Sequence, residues 1–202
     1  MGVLTGLYGG AFDPPHLGHV EVLRSAKQHF GLERLVVLVS ATPGHKAVVL
    51  DASTRLELAR AAFPHEDVRL DGHRRTIDML RDCRWDDPLF LIGADEFCDF
   101  PSWKQPEEVL KRTRLAVATR PGFPRERIES VLEGLGRRDR VLFFEIEPHE
   151  VASREIRARA AAGAPLAGLV PAEVERLIAE RGLYDRKAGL HSPRTRRDSR
   201  PT

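Results

Sequence analysis

Residues 9–19 read Gly-Gly-Ala-Phe-Asp-Pro-Pro-His-Leu-Gly-His and follow an apolar run from Val3 to Tyr8. The pattern predicts a glycine turn, Gly9–Gly10, straight after a buried strand, with His16 and His19 at the start of the next helix. Such a place suits an anion: glycines let backbone amides approach closely, and a helix start offers unpaired N–H groups and partial positive charge. At helical spacing the two histidines share one face and can point at the same phosphoryl group. Gly18 between them leaves that face open for a nucleotide. Ala11 and Phe12 after Gly10 exclude a G-x-G-x-x-G dinucleotide fingerprint, and no Gly-Lys-Ser or Gly-Lys-Thr occurs in the chain, which excludes a P-loop. The bland alternative, a tight turn with two surface histidines, does not account for their coincidence with a glycine pair and an Asp-Pro.

The elements that must position these residues follow from the apolar pattern. Strand-like runs recur at Val3–Tyr8, Leu35–Ser40, Val68–Leu70, Leu89–Ile92, Leu115–Ala118 and Val141–Ile146. Helix-period stretches lie between them at Val20–Phe30, Ser53–Phe63, Ile77–Cys83, Glu107–Lys111 and Arg125–Leu135. Continuous apolar strands alternating with amphipathic helices predict an α/β fold: a single Rossmann-like, doubly wound, mostly parallel sheet. After residue 150 the pattern becomes helical, and Pro171 opens a helix that ends before Gly182. Ligands of open α/β sheets sit outside the strand C-terminal ends. Gly9–His19, residues 43–46, 93–103 and 120–123 all follow such ends.

Bulk properties narrow the function classes. The 202 residues are 42% hydrophobic and 31% charged, which predicts one soluble globular domain over 1–186. No apolar run approaches the roughly 18 residues of a membrane helix, and a basic-then-apolar leader is not seen, so a cytoplasmic protein is expected. Cys83 and Cys98 read as reduced thiols. The net charge of +2 conceals an asymmetry: residues 186–202 contribute +5 and the remainder carries −3. A basic face for specific nucleic-acid binding is therefore not indicated. The segment 187–202, nearly devoid of apolar residues, is expected to be a disordered basic tail. Deleting it should leave melting temperature and turnover unchanged; a clear loss of melting temperature would show that it docks on the body.

GG-A-F-D-P-P-H-L-G-H resembles the nucleotide-binding motif of the nucleotidyltransferase superfamily of α/β-phosphodiesterases, and within it the bacterial nicotinate-nucleotide adenylyltransferase family. Five further blocks follow in the family's order: Thr42–Lys46, Thr76–Leu80, Leu91–Asp95 with Phe100–Trp103, Arg120–Phe123, and Ser153–Arg157. The resemblance covers residues 3 to about 185, and six blocks in order are far more specific than any one.

That resemblance implies a strand order 3-2-1-4-5 and a reaction in which a nucleotide phosphate attacks the α-phosphorus of ATP and releases pyrophosphate. A phosphate nucleophile is already ionised at neutral pH, so alignment and charge stabilisation are what the protein must supply. His16 and His19, beside the backbone of Gly9, Gly10, Ala11 and Phe12 and with Gly18, are assigned to the α-phosphate. Lys46, Ser153 and Arg157 are assigned to the triphosphate, and Gly93, Asp95 and Arg120 to the ATP site, with Asp95 at the position that takes a ribose hydroxyl pair. Thr76, Arg75 and Trp103 are assigned to the acceptor, nicotinate mononucleotide, with the indole stacking on its pyridine ring. Mg²⁺ would be held mainly by substrate phosphates, with no metal ligands assigned to the protein, and a homo-oligomer is left open.

Two departures from the family pattern stand out. Arg74 and Arg75 replace a Ser/Thr-Tyr pair before Thr76, and Ala152-Ser153-Arg154 replaces a hydroxyl-rich run. The first bears on whether the acceptor is the acid or the amide, nicotinamide mononucleotide. Phosphopantetheine and cytidylyl acceptors fit residues 93–103 less well. A catalytically silent nucleotide-binding regulator is the rival of a different class, opposed by His16, His19 and Lys46.

Overall fold

A computed structural model describes residues 3–44, 47–83, 85–149 and 151–185. Six strands, β1 (Thr5–Gly10), β2 (Arg34–Ser40), β3 (Asp67–Asp71), β4 (Leu89–Gly93), β5 (Arg114–Thr119) and β6 (Val141–Glu145), form one sheet in the order β3-β2-β1-β4-β5-β6. Every neighbouring pair is parallel. The expected order 3-2-1-4-5 is present, extended by β6, and the sheet is wholly rather than mostly parallel.

Among the described residues, eight α-helices cover it: α1 (Leu17–Phe30), α2 (Ala52–Ala62), α3 (Thr76–Asp82), α4 (Ala94–Asp99), α5 (Pro106–Arg112), α6 (Arg125–Gly134), α7 (Ser153–Ala161) and α8 (Ala172–Arg181). The period-2 side-chain alternation of the strands feeds two cores. Tyr8, Val37, Val39, Leu91 and Ala116 join Leu23 and Ala26 of α1, Leu58 of α2 and Ile178 of α8 on one face. Leu7, Val36, Phe90, Ile92 and Leu115 join Ile77 of α3, Phe97 of α4 and Leu110 of α5 on the other. Both faces of the inner strands are therefore buried, which is why β2, β4 and β5 are nearly continuous apolar runs, whereas the edge strand β3 alternates and leaves Leu70 exposed.

Local signals set the helix ends. Asp51 caps α2 by accepting the Thr54 N–H at 2.9 Å, and hydrogen bonds from Ser53 and Thr54 hold its carboxyl well below the usual carboxylate range. Gly31 and Gly182 close α1 and α8 at φ 63° and 58°, values that side-chain-bearing residues adopt only at a cost. Two boundaries differ from expectation at the first motif. Gly9 and Gly10 belong to β1, because β2 runs alongside as far as the Gly10–Val39 pair, and the turn proper begins at Ala11. Helix α1 starts at Leu17, three residues earlier than the apolar period suggests, so His16 stands just outside it in extended backbone.

The switch in strand order falls at β1, between β2 and β4. The crevice above the C-terminal ends of β1 and β4 is the place that sheet geometry reserves for a ligand.

Candidate active site at the switch point

The turn after β1 is built from unusual backbone held by burial. Phe12 has φ 50°, in the left-handed region that costs a non-glycine residue about 1–2 kcal/mol. Its ring offsets this by packing against Tyr8, His19 and Phe63 at centroid distances of 5.5, 5.1 and 5.7 Å; burying such a side chain is worth about 1.5–3 kcal/mol. Gly10 makes that fold-back possible, since a Cβ there would lie 2.8 Å from the Phe12 ring.

Distant segments then fix the turn. Arg55 of α2, buried at 1% exposure, donates from Nη1 to the Ala11 and Ser40 carbonyls, both at 2.7 Å. It also donates to the carbonyls of Leu50 and Ala41 at 3.2 Å. The Asp13 carboxylate, 2% exposed, accepts the Val49 N–H and the Tyr184 hydroxyl. Burial and Asp13 push the Tyr184 phenol far up, so that hydroxyl remains a donor. From α7, Arg157 Nη1 donates to the Asp13 carbonyl at 2.7 Å and Ser153 Oγ to the Pro14 carbonyl at 2.9 Å.

On this base sit the two histidines. Their rings stack, with centroids 3.7 Å apart and planes at 29°. The His16 backbone N–H donates to His19 Nδ1 at 3.2 Å. An accepting Nδ1 places the proton of a neutral His19 on Nε2, leaving that nitrogen a donor. His16 is buried at 8% exposure, and its Nδ1 has no partner among the described residues. Burial, and secondarily His149, push its pKa down to about 4, so the ring is neutral at pH 7. Gly18 forms the floor under it: a Cβ there would approach His16 Nδ1 to 3.1 Å and the Cβ of His149 to 3.6 Å. A buried ring nitrogen left unpaired is a group that an incoming polar ligand can satisfy.

The other expected positions gather around the crevice. Gly93 ends β4 and caps α4, and Asp95 in its first turn is exposed, 3.4 Å from Arg120 Nη2 and 3.8 Å from Arg127. Trp103 is half-buried, its ring edge-on to Phe90 at 6.1 Å and Phe100 at 5.3 Å. A Cβ on Gly9 would touch the Phe90 ring at 3.2 Å, so Phe90 links the end of β1 to Trp103. Thr76 opens α3 with Arg75 at its cap, and Arg74 and Arg75 are both exposed. Lys104, next to Trp103, lies 3.8 Å from Asp78 in the first turn of α3, which links the start of α3 to the Trp103 segment. Lys46 lies outside the described residues, as does the tail 187–202.

Ser153 and Arg157, expected on the triphosphate, thus reach the phosphate turn itself through its carbonyls. Sequence reasoning missed Arg55, Asp13, Tyr184 and His149. One signal for Arg55 was present: positions 55, 58, 59 and 62 form the buried stripe of α2, so an arginine falls on its core face.

Comparison with known proteins bears on this arrangement directly. The Cytidylyltransferase-like family model matches residues 7–159. The Rubrobacter xylanophilus protein named "Probable nicotinate-nucleotide adenylyltransferase" is 32% identical over 195 residues, covering 89% of this chain and 91% of its own. Its namesakes in Thermus thermophilus and Exiguobacterium sibiricum are 34% and 35% identical, each across 89% of this chain and 98% and 97% of their own. The chain belongs to the nicotinate-nucleotide adenylyltransferase family. In fold, it is similar to Plasmodium falciparum nicotinic acid mononucleotide adenylyltransferase complexed with NaAD, with a TM-score of 0.72 at 17% identity over 91% of this chain and 98% of that one. Residues 7–159 take in the turn after β1, the stacked histidines, Trp103 and the Ser153–Arg157 helix start, so the matched region contains every described position that the sequence assigned to the site, while Tyr184 lies beyond it.

Proposed function

We propose that this chain transfers the adenylyl group of ATP to nicotinate mononucleotide, giving nicotinate adenine dinucleotide and pyrophosphate, a step of NAD synthesis. The observation that carries this is the stacked His16–His19 pair above Gly18 at the sheet's switch point, on a chain whose relatives bear the name of that activity.

The chemistry asks for position and charge stabilisation, and the residues answer to both. A phosphate oxygen of the acceptor attacks the α-phosphorus of ATP, forming one P–O bond as the bond to pyrophosphate breaks. Neutral His16 and the Nε2–H of His19 donate hydrogen bonds to the transferring phosphoryl group, and neither must lose a proton to do so. The α1 N-terminus adds its dipole. Arg157, with guanidinium donors beyond the one on Asp13, and Lys46 are assigned to the departing pyrophosphate. Asp95 takes a ribose hydroxyl pair, and Trp103 presents its face to the pyridine ring.

Divalent metal fits this site as part of the substrate. The carboxylate closest to the turn, Asp13, is occupied by Val49 and Tyr184, and among the described residues no three His, Cys, Asp or Glu side chains gather to hold an ion. Mg²⁺ on the phosphates would neutralise part of their charge. A cytoplasmic setting is part of this proposal; Cys83 and Cys98 are free cysteines, and, separately, no described helix is long and apolar enough to cross a membrane.

The test is a steady-state comparison of candidate acceptors with ATP and Mg²⁺, following pyrophosphate. Nicotinate mononucleotide should be preferred over the amide, because a carboxylate gains charge-assisted hydrogen bonds that an amide cannot match. Arg75→Ala or Arg74→Ala should shrink that preference by about tenfold through KM for the acid, the scale of one charged hydrogen bond. A wild type that favours the amide would overturn the specificity reading. A preference unmoved by either arginine would assign it to Thr76 and backbone amides.

A further inference from the structure

The connection between β3 and α3 carries Arg74 and Arg75 and delivers Thr76, and it has little packing of its own. Gly72, Arg74 and Arg75 are exposed, and a Cβ on Gly72 would meet nothing within 4 Å. What ties it down is His73. Its Nδ1 lies 2.6 Å from Asp71 Oδ1, at the end of β3, and its Nε2 lies 2.9 Å from Asp82 Oδ2, at the end of α3. The His73 backbone N–H donates to the same Asp71 oxygen at 3.0 Å.

A neutral imidazole has one N–H and one lone pair, so between two carboxylates its lone pair would face an oxyanion. The geometry therefore calls for the imidazolium, with both nitrogens donating. We propose that His73 is a positioning residue whose imidazolium ties segment 72–76 to the last residue of β3 and to the last residue of α3, and thereby sets affinity for the acceptor, leaving ATP affinity unchanged. This rests on the reading that Thr76 and Arg75 meet the acceptor.

Direction and window follow from the partners. Hydrogen bonds to Asp71 and then Asp82 raise the His73 pKa above its ordinary 6.5, against a smaller opposing contribution from burial. A raised pKa means the clasp is fully formed below 6.5 and is lost as pH rises through the higher, folded value. Asp71 and Asp82 are the charged groups acting on the ring; of the nearby cations, Arg69 of β3 is paired with Asp67, and Arg81 of α3 donates to Gln105. The Asp82 side chain is 72% exposed and that of Asp71 16%, so Asp82 is the partner that lets go.

The experiment measures KM for nicotinate mononucleotide and for ATP across pH in the full chain, in wild type, His73→Gln and Asp82→Asn, beside an NMR titration of the His73 ring. In wild type the acceptor KM should rise several-fold through the His73 titration while the ATP KM does not follow it. His73→Gln should hold the raised acceptor KM at every pH, and Asp82→Asn should move the rise to lower pH. Ionisation of the acceptor's own phosphate is common to all three proteins and cancels in their ratio. His73→Gln with the wild-type profile, or with both KM values raised alike, would overturn the proposal. If instead Thr76→Ala and Arg75→Ala leave the acceptor KM unchanged, the acceptor assignment itself has failed. Amide exchange over residues 72–76 then decides the clasp: faster exchange in His73→Gln supports it, and unchanged exchange rejects it.

Discussion

His16→Ala and His19→Ala should each lower kcat by about 10²–10³ with little change in melting temperature, the usual cost of removing one preorganised donor to developing charge. The two losses should not multiply in the double variant, because the rings stack at 3.7 Å and the His16 N–H orients His19 through Nδ1. His19→Ala should therefore disturb His16 as well, and the double variant should sit close to the worse single one. His16 also carries a pH signature. Its folded pKa of about 4 lies below the ordinary 6.5, so the unfolded chain binds a proton first as pH falls. His16 thus subtracts stability between those values, and His16→Ala should flatten part of the acid loss of stability. Near-full turnover in both single variants would remove the pair from the transition state.

How much of this was legible in the sequence depends on the range of the contact involved. The strands were readable because both faces of the sheet are buried: Val36 feeds one core and Val37 the other, giving unbroken apolar runs. The strand–turn–helix form of the first motif was readable because its parts are adjacent in the chain. Its boundaries were not, since the fate of Gly9 and Gly10 depends on how far β2 runs beside them. Helix α4 escaped because it spans six residues and carries Asp95, Glu96 and Asp99, with Phe97 as its buried anchor. His149 escaped for a related reason: it stands in an irregular segment after β6, and only the fold brings it beside Gly18 and His16.

The roles of Ser153 and Arg157 show the same limit from the other side. Their place at a helix start pointed to phosphate, yet the bonds they make in the structure are to the carbonyls of Pro14 and Asp13. The two roles are compatible. A helix that grips the turn through one donor of an arginine can present the remaining donors to a ligand seated on that turn. Loss of Arg157 would then loosen the histidine platform as well as remove the proposed phosphate contact.

Arg55→Ala should be among the most destabilising substitutions available in this protein, lowering stability by about 3–5 kcal/mol, the range seen when one partner of a buried charged network is removed. The side chain is 1% exposed and satisfies the carbonyls of Leu50, Ala11, Ser40 and Ala41, two of them at 2.7 Å. Its charge also faces the buried Asp13 carboxylate. Truncation leaves those buried carbonyls without their donor, and unpaired buried acceptors cost about 1–3 kcal/mol each. For a domain of this size each kcal/mol moves the melting temperature by about 2–4 °C, so a fall of roughly 6–20 °C is expected. Arg55→Lys should recover only part of it, because one ammonium cannot reproduce a planar fork that reaches β2, the segment before α2 and the phosphate turn at once. Because the Ala11 carbonyl belongs to that turn, the lysine variant, measured well below its melting temperature, should also show reduced kcat. A thermal melt of Arg55→Ala within about 1 kcal/mol of wild type would mean that water enters to satisfy the carbonyls, and that Asp13, Tyr184 and α7 hold the turn without Arg55.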